Sequence, residues 1–328
     1  MDEAVGVTGA AISQYERGDA TPSARTMPLL VAALDVDLEF LMQRATDAEV
    51  DIPAFFRSLR STPARERKRA RNVVQLVHTL AGVLAGHVGL TEVKVPRIPS
   101  DPFDEERSRR ESAEEAATQV RKAWTIGSGP VQDVVAGIEG HGVACVRLRF
   151  DDERIDAFSV PFSDRPVVVL SADKQKWDRS RFDAAHELGH VVMHSDVAGV
   201  REAEKQANEF AAAFLMPAKS IHDELPSRPD WGHLLELKEK WGTSIAALLY
   251  RARTLKVMPE QTYINATKVM AARGWRRHEP VNRLAEAPSL LHDALYRAEK
   301  RGIAPSQLRR EAAIPADLFQ EIISGLSD

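Results

Sequence analysis

Apolar residues recur along this chain with two periods, and the changes of period divide it into four regions. Up to about residue 50 the pattern is one of short helices, broken at Gly6, at Gly18 and by the Thr21-Pro22-Ser23 turn. From about 51 to 90 it is helical. Phe55 and Leu59, then Val73, Val74, Leu76, Val77, Leu80, Val83 and Leu84, recur at steps of three and four. Pro96, Pro99 and Pro102, followed by mixed charges, make roughly 91–110 read as a linker, so that 51–110 is a helical segment plus linker. The third region, 111–265, opens with helical patterns over Ala113 to Trp124 and Val131 to Glu139. Three β-rich runs follow, Val143 to Phe150, Ala157 to Phe162 and Val167 to Leu170, bounded by Asp, Ser and Pro. The helical period then returns from Arg179 to His194 and from Glu202 to Met216, where Pro217 stops it, and two more helices fall within 230–256. Residues 266–328 are helical again. This predicts an α+β fold, a short sheet with helices over 111–265, flanked by mainly helical N- and C-terminal regions.

Composition adds constraints. At 328 residues the chain suffices for two or three domains, and 44% hydrophobic with 28% charged residues is ordinary for a soluble protein. Apolar stretches such as Leu29 to Leu34 are too short to span a bilayer, and no basic segment leads into an apolar run at the N-terminus as a secretory signal would. The lone Cys145 rules out an internal disulfide and fits a reducing cytoplasm. Its apolar neighbours read as a buried strand rather than a nucleophile's surroundings. A net charge of −4 argues against a chain that coats nucleic acid by charge alone. Residues 1–50 carry nine acidic residues against three arginines, a net of −6, and a basic stretch follows at Arg57, Arg60, Arg65, Arg67, Lys68, Arg69 and Arg71. That stretch reads as a solvated helix face, though it would also attract phosphate.

The candidate chemistry lies between the β-rich runs and Pro217. Ala185-His186-Glu187-Leu188-Gly189-His190 contains His-Glu-x-x-His in a helical window. Residues four apart share a helix face, so both imidazoles can reach one zinc ion, and Glu187 sits beside it as the base that takes a proton from water. A random chain of this length shows the pattern on the order of one time in a hundred. A catalytic zinc needs a third protein ligand. Among the downstream acids Glu202, Glu204 and Glu209, only Glu204 lies on the apolar stripe of Ala207, Phe210, Ala211, Phe214 and Leu215. Glu209 falls off it and Glu202 falls opposite. A carboxylate on a buried face needs a partner, which a zinc ion would supply. The competing reading of Glu204 is a helix N-terminal charge. Asn208 shares the face of Glu204 and could hydrogen-bond a ligand histidine. Candidates for stabilising the oxyanion are His194, His222, His233, Tyr250 and Arg251, with Tyr250 and Arg251 foremost.

These segments resemble the ImmA/IrrE family of metallo-endopeptidases. The likeness rests on Ala185 to His190, on Glu204-x-x-Ala207-Asn208-x-Phe210-Ala211-x-x-Phe214-Leu215-Met216-Pro217, and on Trp241 to Arg251. It covers about 111–265. It implies a gluzincin-like site in which His186, His190 and Glu204 bind zinc and Glu187 is the catalytic base. Gln206 stands where many relatives have a second Glu, which favours Glu204 as the ligand. The resemblance also implies that the substrate is a transcriptional repressor, with cleavage switching on stress or mobile-element genes.

Near the N-terminus, Ala4 to Gly18 reads as a helix end, a Gly turn, Thr8 as N-cap and a second helix; Thr21-Pro22-Ser23 then starts a third. This resembles the XRE-type helix-turn-helix of phage repressors. The resemblance implies Thr8, Ala10, Ser13, Gln14 and Arg17 as DNA-facing residues, and a further helix and most of another before the position of Met1. The element therefore reads as truncated, and its acidity opposes approach to phosphates. DNA binding, packing or homodimerisation, and recognition of a protein partner stay open for it. Gln307 to Ile323 reads as two short helices joined at Ile314-Pro315, either a cap on the peptidase or a second helix-turn-helix, with the cap preferred. The function expected is a zinc endopeptidase that cuts a specific intracellular protein. The alternative is a DNA-binding transcriptional regulator that uses the peptidase fold as sensor or scaffold.

Overall fold

The structure, a computed structural model, describes residues 5–34, 36, 38–42, 64–99, 105–150, 155–173, 176–194, 201–276 and 278–324. Phe55, Arg57, Leu59, Arg60 and Pro102 lie outside the described residues, as do the side chains of Arg65 and Arg67.

The described residues are mostly helical around one small sheet. Three short helices come first, α1 (Gly9–Arg17), α2 (Thr26–Leu34) and α3 (Leu38–Met42), then α4 (Ala64–Val88), α5 (Glu106–Ala123) and α6 (Val134–Gly140). Strands β1 (Ala144–Leu148), β2 (Ala157–Val160) and β3 (Val167–Ser171) follow, in the order β1-β3-β2, with β1 parallel and β2 antiparallel to β3. Next are α7 (Trp177–Met193), α8 (Arg201–Leu215), the short α9 (Ala218–Ile221), α10 (Trp231–Trp241), α11 (Ile245–Thr254) and α12 (Glu260–Ala272). The chain ends with α13 (Leu290–Lys300), α14 (Pro305–Glu311) and α15 (Ala316–Ser324).

Every strand residue is buried, so both sheet faces are covered, which is why apolar residues occupy both faces of each strand, with Arg147, Ser159 and Ser171 as buried polar exceptions. Successive side chains still point to opposite faces. Cys145, Ala157, Val168 and Leu170 join a core with α5 to α8, α10 and α11. Ala144, Val146, Leu148, Phe158, Val160, Val167 and Val169 join a second core with α4 and α13 to α15. Helix α4 and the C-terminal helices thus meet on the far side of the sheet, where they cover the β layer. Cys145 is buried in β1, and burial pushes its thiol well above the usual range.

Two extended segments fasten these layers. Residues 89–99 are packed, unlike a free linker. Lys94 N–H donates to His141 O at 3.0 Å, Ile98 N–H to Val192 O at 2.9 Å, and the Trp124 indole N–H to Lys94 O at 3.1 Å. Gly142 has φ +88°, and a Cβ there would lie 2.5 Å from Glu92 O, so only glycine lets the segment pass. The second segment, 278–289, carries Glu279 and Glu286. The Glu279 carboxylate accepts from Ile245 N at the start of α11 and from Lys238 Nζ, and Glu286 accepts from Val134 N and Val135 N at the start of α6 and pairs with Arg181. Negative charge at a helix N-terminus is favourable, so both contacts stabilise the helices they cap.

Candidate metal centre and cleft

The helix that carries the candidate site runs along the sheet. Gly189, inside His186-Glu187-Leu188-Gly189-His190, faces α8 so closely that a Cβ would lie 3.0 Å from Cδ1 of Phe210. The missing side chain lets α8 settle against α7 and brings Glu204 to the histidine pair.

The Nε2 atoms of His186 and His190 are 3.1 Å apart, with Glu204 Oε2 at 3.3 Å from the first and Oε1 at 3.7 Å from the second. Donors placed about 2.0–2.1 Å from one tetrahedral ion are roughly 3.3 Å from each other, so these separations fit an ion at their centre. Among the described residues, His186, His190 and Glu204 form the group of three donors able to hold a metal. His190 is fully buried and Glu204 nearly so, while His186 is slightly open to solvent. Burial opposes charge on every group here. It pushes His190 down to about 3, helped by the neighbouring His186 and His194. For Glu204 burial is outweighed by hydrogen bonds from both imidazoles, which hold its carboxyl well below the usual range. For His186 burial is outweighed by the Glu204 hydrogen bond and nearby carboxylates, which raise it.

The far ring nitrogens are engaged as well. His186 Nδ1 lies 3.0 Å from Asn208 Oδ1. His190 Nδ1 lies 3.1 Å from His194 Nδ1, and His194 Nε2 lies 2.8 Å from Gln206 Oε1. With both Nε2 atoms turned to a cation, each Nδ1 carries the proton. His186 then donates to Asn208, His190 donates to His194, and His194 donates to the Gln206 carbonyl. Two separate sets of donors thus fix the three rings, His186 on Asn208 and His190 through His194 on Gln206.

Glu187 is 3% exposed and accepts a hydrogen bond from the Ser159 hydroxyl at 2.6 Å. Burial pushes its carboxyl up to about 7, against the lowering effect of His186 and of that hydrogen bond. A carboxylate near neutrality in a cleft suits proton transfer.

His186, Glu187, Glu204 and Asn208 line an open cavity of about 1260 Å³, to which α11, α12 and the start of the 278–289 segment also contribute walls. Small-molecule sites run to about 300–1,000 Å³, so this cleft suits a longer ligand. Its rim carries paired charges. Lys238 is buried between Asp178 at 2.5 Å and Glu279 at 2.8 Å, and Arg179 pairs with Asp156 at 2.6 Å.

Of the five oxyanion candidates, Tyr250 alone lines this cavity. Burial raises its phenol, which keeps the O–H as a donor. Arg251 points the other way: it is buried, with its guanidinium on Met216 O and Glu114. His194 is buried behind His190, His233 Nε2 donates to Glu224 O, and His222 lies beside Asp223. Glu209, placed off the apolar stripe by helical geometry, is buried too, 3.6 Å from Arg110 and at the cavity wall. Ser159, His194 and Gln206 as supports of the site were missed by sequence reasoning. For Ser159 the available signal was a hydroxyl inside the apolar run Ala157-Phe158-Ser159-Val160.

With this geometry in view, the chain can be set beside known families. Residues 138–253 match the IrrE N-terminal-like domain of the M78 peptidases. The M78 match spans all of α7, α8 and the three strands, and its family is one of metallopeptidases. Residues 1–41 match a helix-turn-helix model. No curated protein matches the chain. No helix among the described residues is long and apolar enough to cross a membrane.

In the helix-turn-helix, the Thr8 hydroxyl caps α1 by accepting from Ala11 N at 3.2 Å, and Gly18 ends it in the left-handed conformation. Thr8, Ala10, Gln14 and Arg17 are exposed and Ser13 is half-buried. Arg17 pairs with Asp19 at 2.8 Å, which offsets its charge toward any phosphate.

Proposed function

We propose that the chain is a zinc-dependent endopeptidase, with zinc held by His186, His190 and Glu204 and an extended stretch of a protein substrate lying in the cleft. The observation that carries this reading is the set of separations among three donors of a type that zinc prefers, two imidazoles and a carboxylate, which leaves a fourth position open. When bound, zinc supplies Lewis-acid polarisation of the scissile carbonyl and acidifies water at the site. The Glu187 carboxylate takes the proton of the attacking water and delivers it to the leaving amine. Ser159 holds that carboxylate in place, while Asn208 and the His194–Gln206 pair orient the two imidazoles. Tyr250 is the O–H donor placed to serve the oxyanion. In this reading the folding unit includes residues 64–88 and 290–324 as well as 111–265, since the strands need both covers.

The likeness to the ImmA/IrrE peptidases points to an intracellular transcriptional repressor as substrate, with cleavage switching on stress or mobile-element genes. Metal analysis of the purified chain, with co-expression beside neighbouring repressor genes, tests both steps. About one zinc per chain and a truncated repressor are expected. Glu187→Gln should keep the zinc and lose the product, and His186→Ala should lose the metal. A Gln variant that cuts at the wild-type rate would overturn the assignment of the base.

The match at residues 1–41 favours a second reading, a DNA-binding regulator in which the peptidase fold senses or scaffolds. A gel shift with operator-like fragments that weakens with salt and ignores chelator supports it. No shift at low salt removes it and leaves recognition of a protein partner or of a second copy.

A further inference from the structure

At one end of the cleft three helices bring apolar and aromatic side chains together, beside Glu209 and Thr267, which also reach the wall. α8 turns Glu204, Asn208 and Ala212 to the cavity at four-residue steps, α11 turns Ala247 and Tyr250, and α12 turns Tyr263 and Met270. Of the three helices, α12 lies beyond the 138–253 match. Ala212 and Met270 are each only 4% exposed, which makes them a firm floor continuous with the core. The two tyrosines are fixed from one side by Arg253, whose guanidinium lies 5.9 Å from the Tyr250 ring and 5.0 Å from the Tyr263 ring. Arg253 is in turn held by Glu260 at 2.5 Å, so its charge is countered at the wall.

The helix also sets a distance. Ala212 stands eight residues after Glu204 on one face of α8, about 12 Å along the axis at 1.5 Å per residue. An extended peptide covers that span in three to four residues at about 3.3 Å each. The alanines leave room in this end, and the buried Met270 bounds it.

We propose that this end is a subsite for a large apolar side chain (Leu, Met or Phe) of the protein substrate, three or four residues from the bond that is cut, with Ala212 and Met270 setting its size. The proposal rests on the peptidase reading above. Replacing the apolar residue by Ala in the substrate should weaken recognition roughly 10- to 100-fold, as expected for the loss of most of one buried side chain.

The test uses the zinc-loaded full chain and a degenerate library of end-blocked dodecapeptides. Peptides bound by the Glu187→Gln protein and peptides cut by the wild type are sequenced separately by mass spectrometry. Enrichment of Leu, Met or Phe at one position of the bound pool, falling three or four residues from the cut, is the expected result. Ala212→Trp should erase the preference, and Met270→Ala should shift it toward Phe and Trp, with zinc content reporting that each variant is folded. Where Ala212→Trp does not fold, Met270→Ala carries the test alone. A bound pool without preference, a preference next to the cut bond, or one untouched by Met270→Ala overturns the subsite. An enriched bound pool with no cutting by the wild type supports the subsite and counts against the hydrolase reading alone.

Discussion

The Ser159 hydroxyl donates to the Glu187 carboxylate at 2.6 Å, tying edge strand β2 to the helix that carries the histidine pair. Ser159 is fully buried and shares the sheet face of Ala157, the one turned toward α7. A strand position that could hold another aliphatic residue instead steers a carboxylate.

Removing that hydroxyl should therefore lower turnover more than it disturbs binding. Ser159→Ala is expected to reduce kcat about 10- to 100-fold with KM nearly unchanged and zinc content intact. Because the hydrogen bond lowers the Glu187 pKa, its loss should move the acidic limb of the pH–rate profile to higher pH. A wild-type profile in this variant would leave Ser159 as packing only.

The chain His190–His194–Gln206 should be read out by the metal. Gln206→Leu leaves the His194 N–H without its acceptor, and zinc affinity measured by chelator competition should drop about 10- to 100-fold. Asn208→Ala should act similarly through His186. Affinities equal to the wild type in both would show that the imidazoles are held by packing instead.

Gly189→Ala presses a methyl group against the Phe210 ring and moves α8 away from α7. Weaker zinc binding is expected, with Phe210→Leu in the same chain restoring part of it. If the single variant binds zinc as tightly as the wild type, the close helix approach does not govern the position of Glu204.

Glu139 gives a pH dependence remote from the metal. It is 4% exposed, accepts from Ser289 N and Leu290 N at the start of α13, and burial pushes its carboxyl up to about 7 from a usual value near 4.5. The folded chain then holds this proton where the unfolded chain has lost it. Its contribution is complete below about pH 4.5 and declines until about pH 7, by up to ~3 kcal/mol. Urea melts of Glu139→Gln should show a flatter decline between pH 5 and 7 than the wild type. Parallel curves would contradict the shift.

Much of the fold was legible because its signals are local. The apolar period marked α7 and α8 to within two residues, and the three β-rich runs coincide with the three strands. The spacing of His186 and His190 put both rings on one face, and the stripe of Ala207 and Phe210 singled out Glu204. The long-range facts were not legible. Nothing local tells that residues 64–88 and 290–324 share the far side of the sheet, or that 89–99 is bound down by Gly142 and Trp124. Arg251 follows Tyr250 in sequence, yet adjacent helix positions point about 100° apart, and Arg251 ends on Met216 O. Ser159 and Gln206 act through partners on other elements, which no periodicity encodes.

The double covering of the sheet has a practical corollary for anyone shortening this protein. A fragment cut to residues 138–253 would keep His186, His190 and Glu204 but lay bare Val146, Phe158, Val160 and Val169, an oily plane with nothing to shield it. Such a fragment should clump in the test tube, and its silence in an assay would say nothing about the chemistry of the whole molecule.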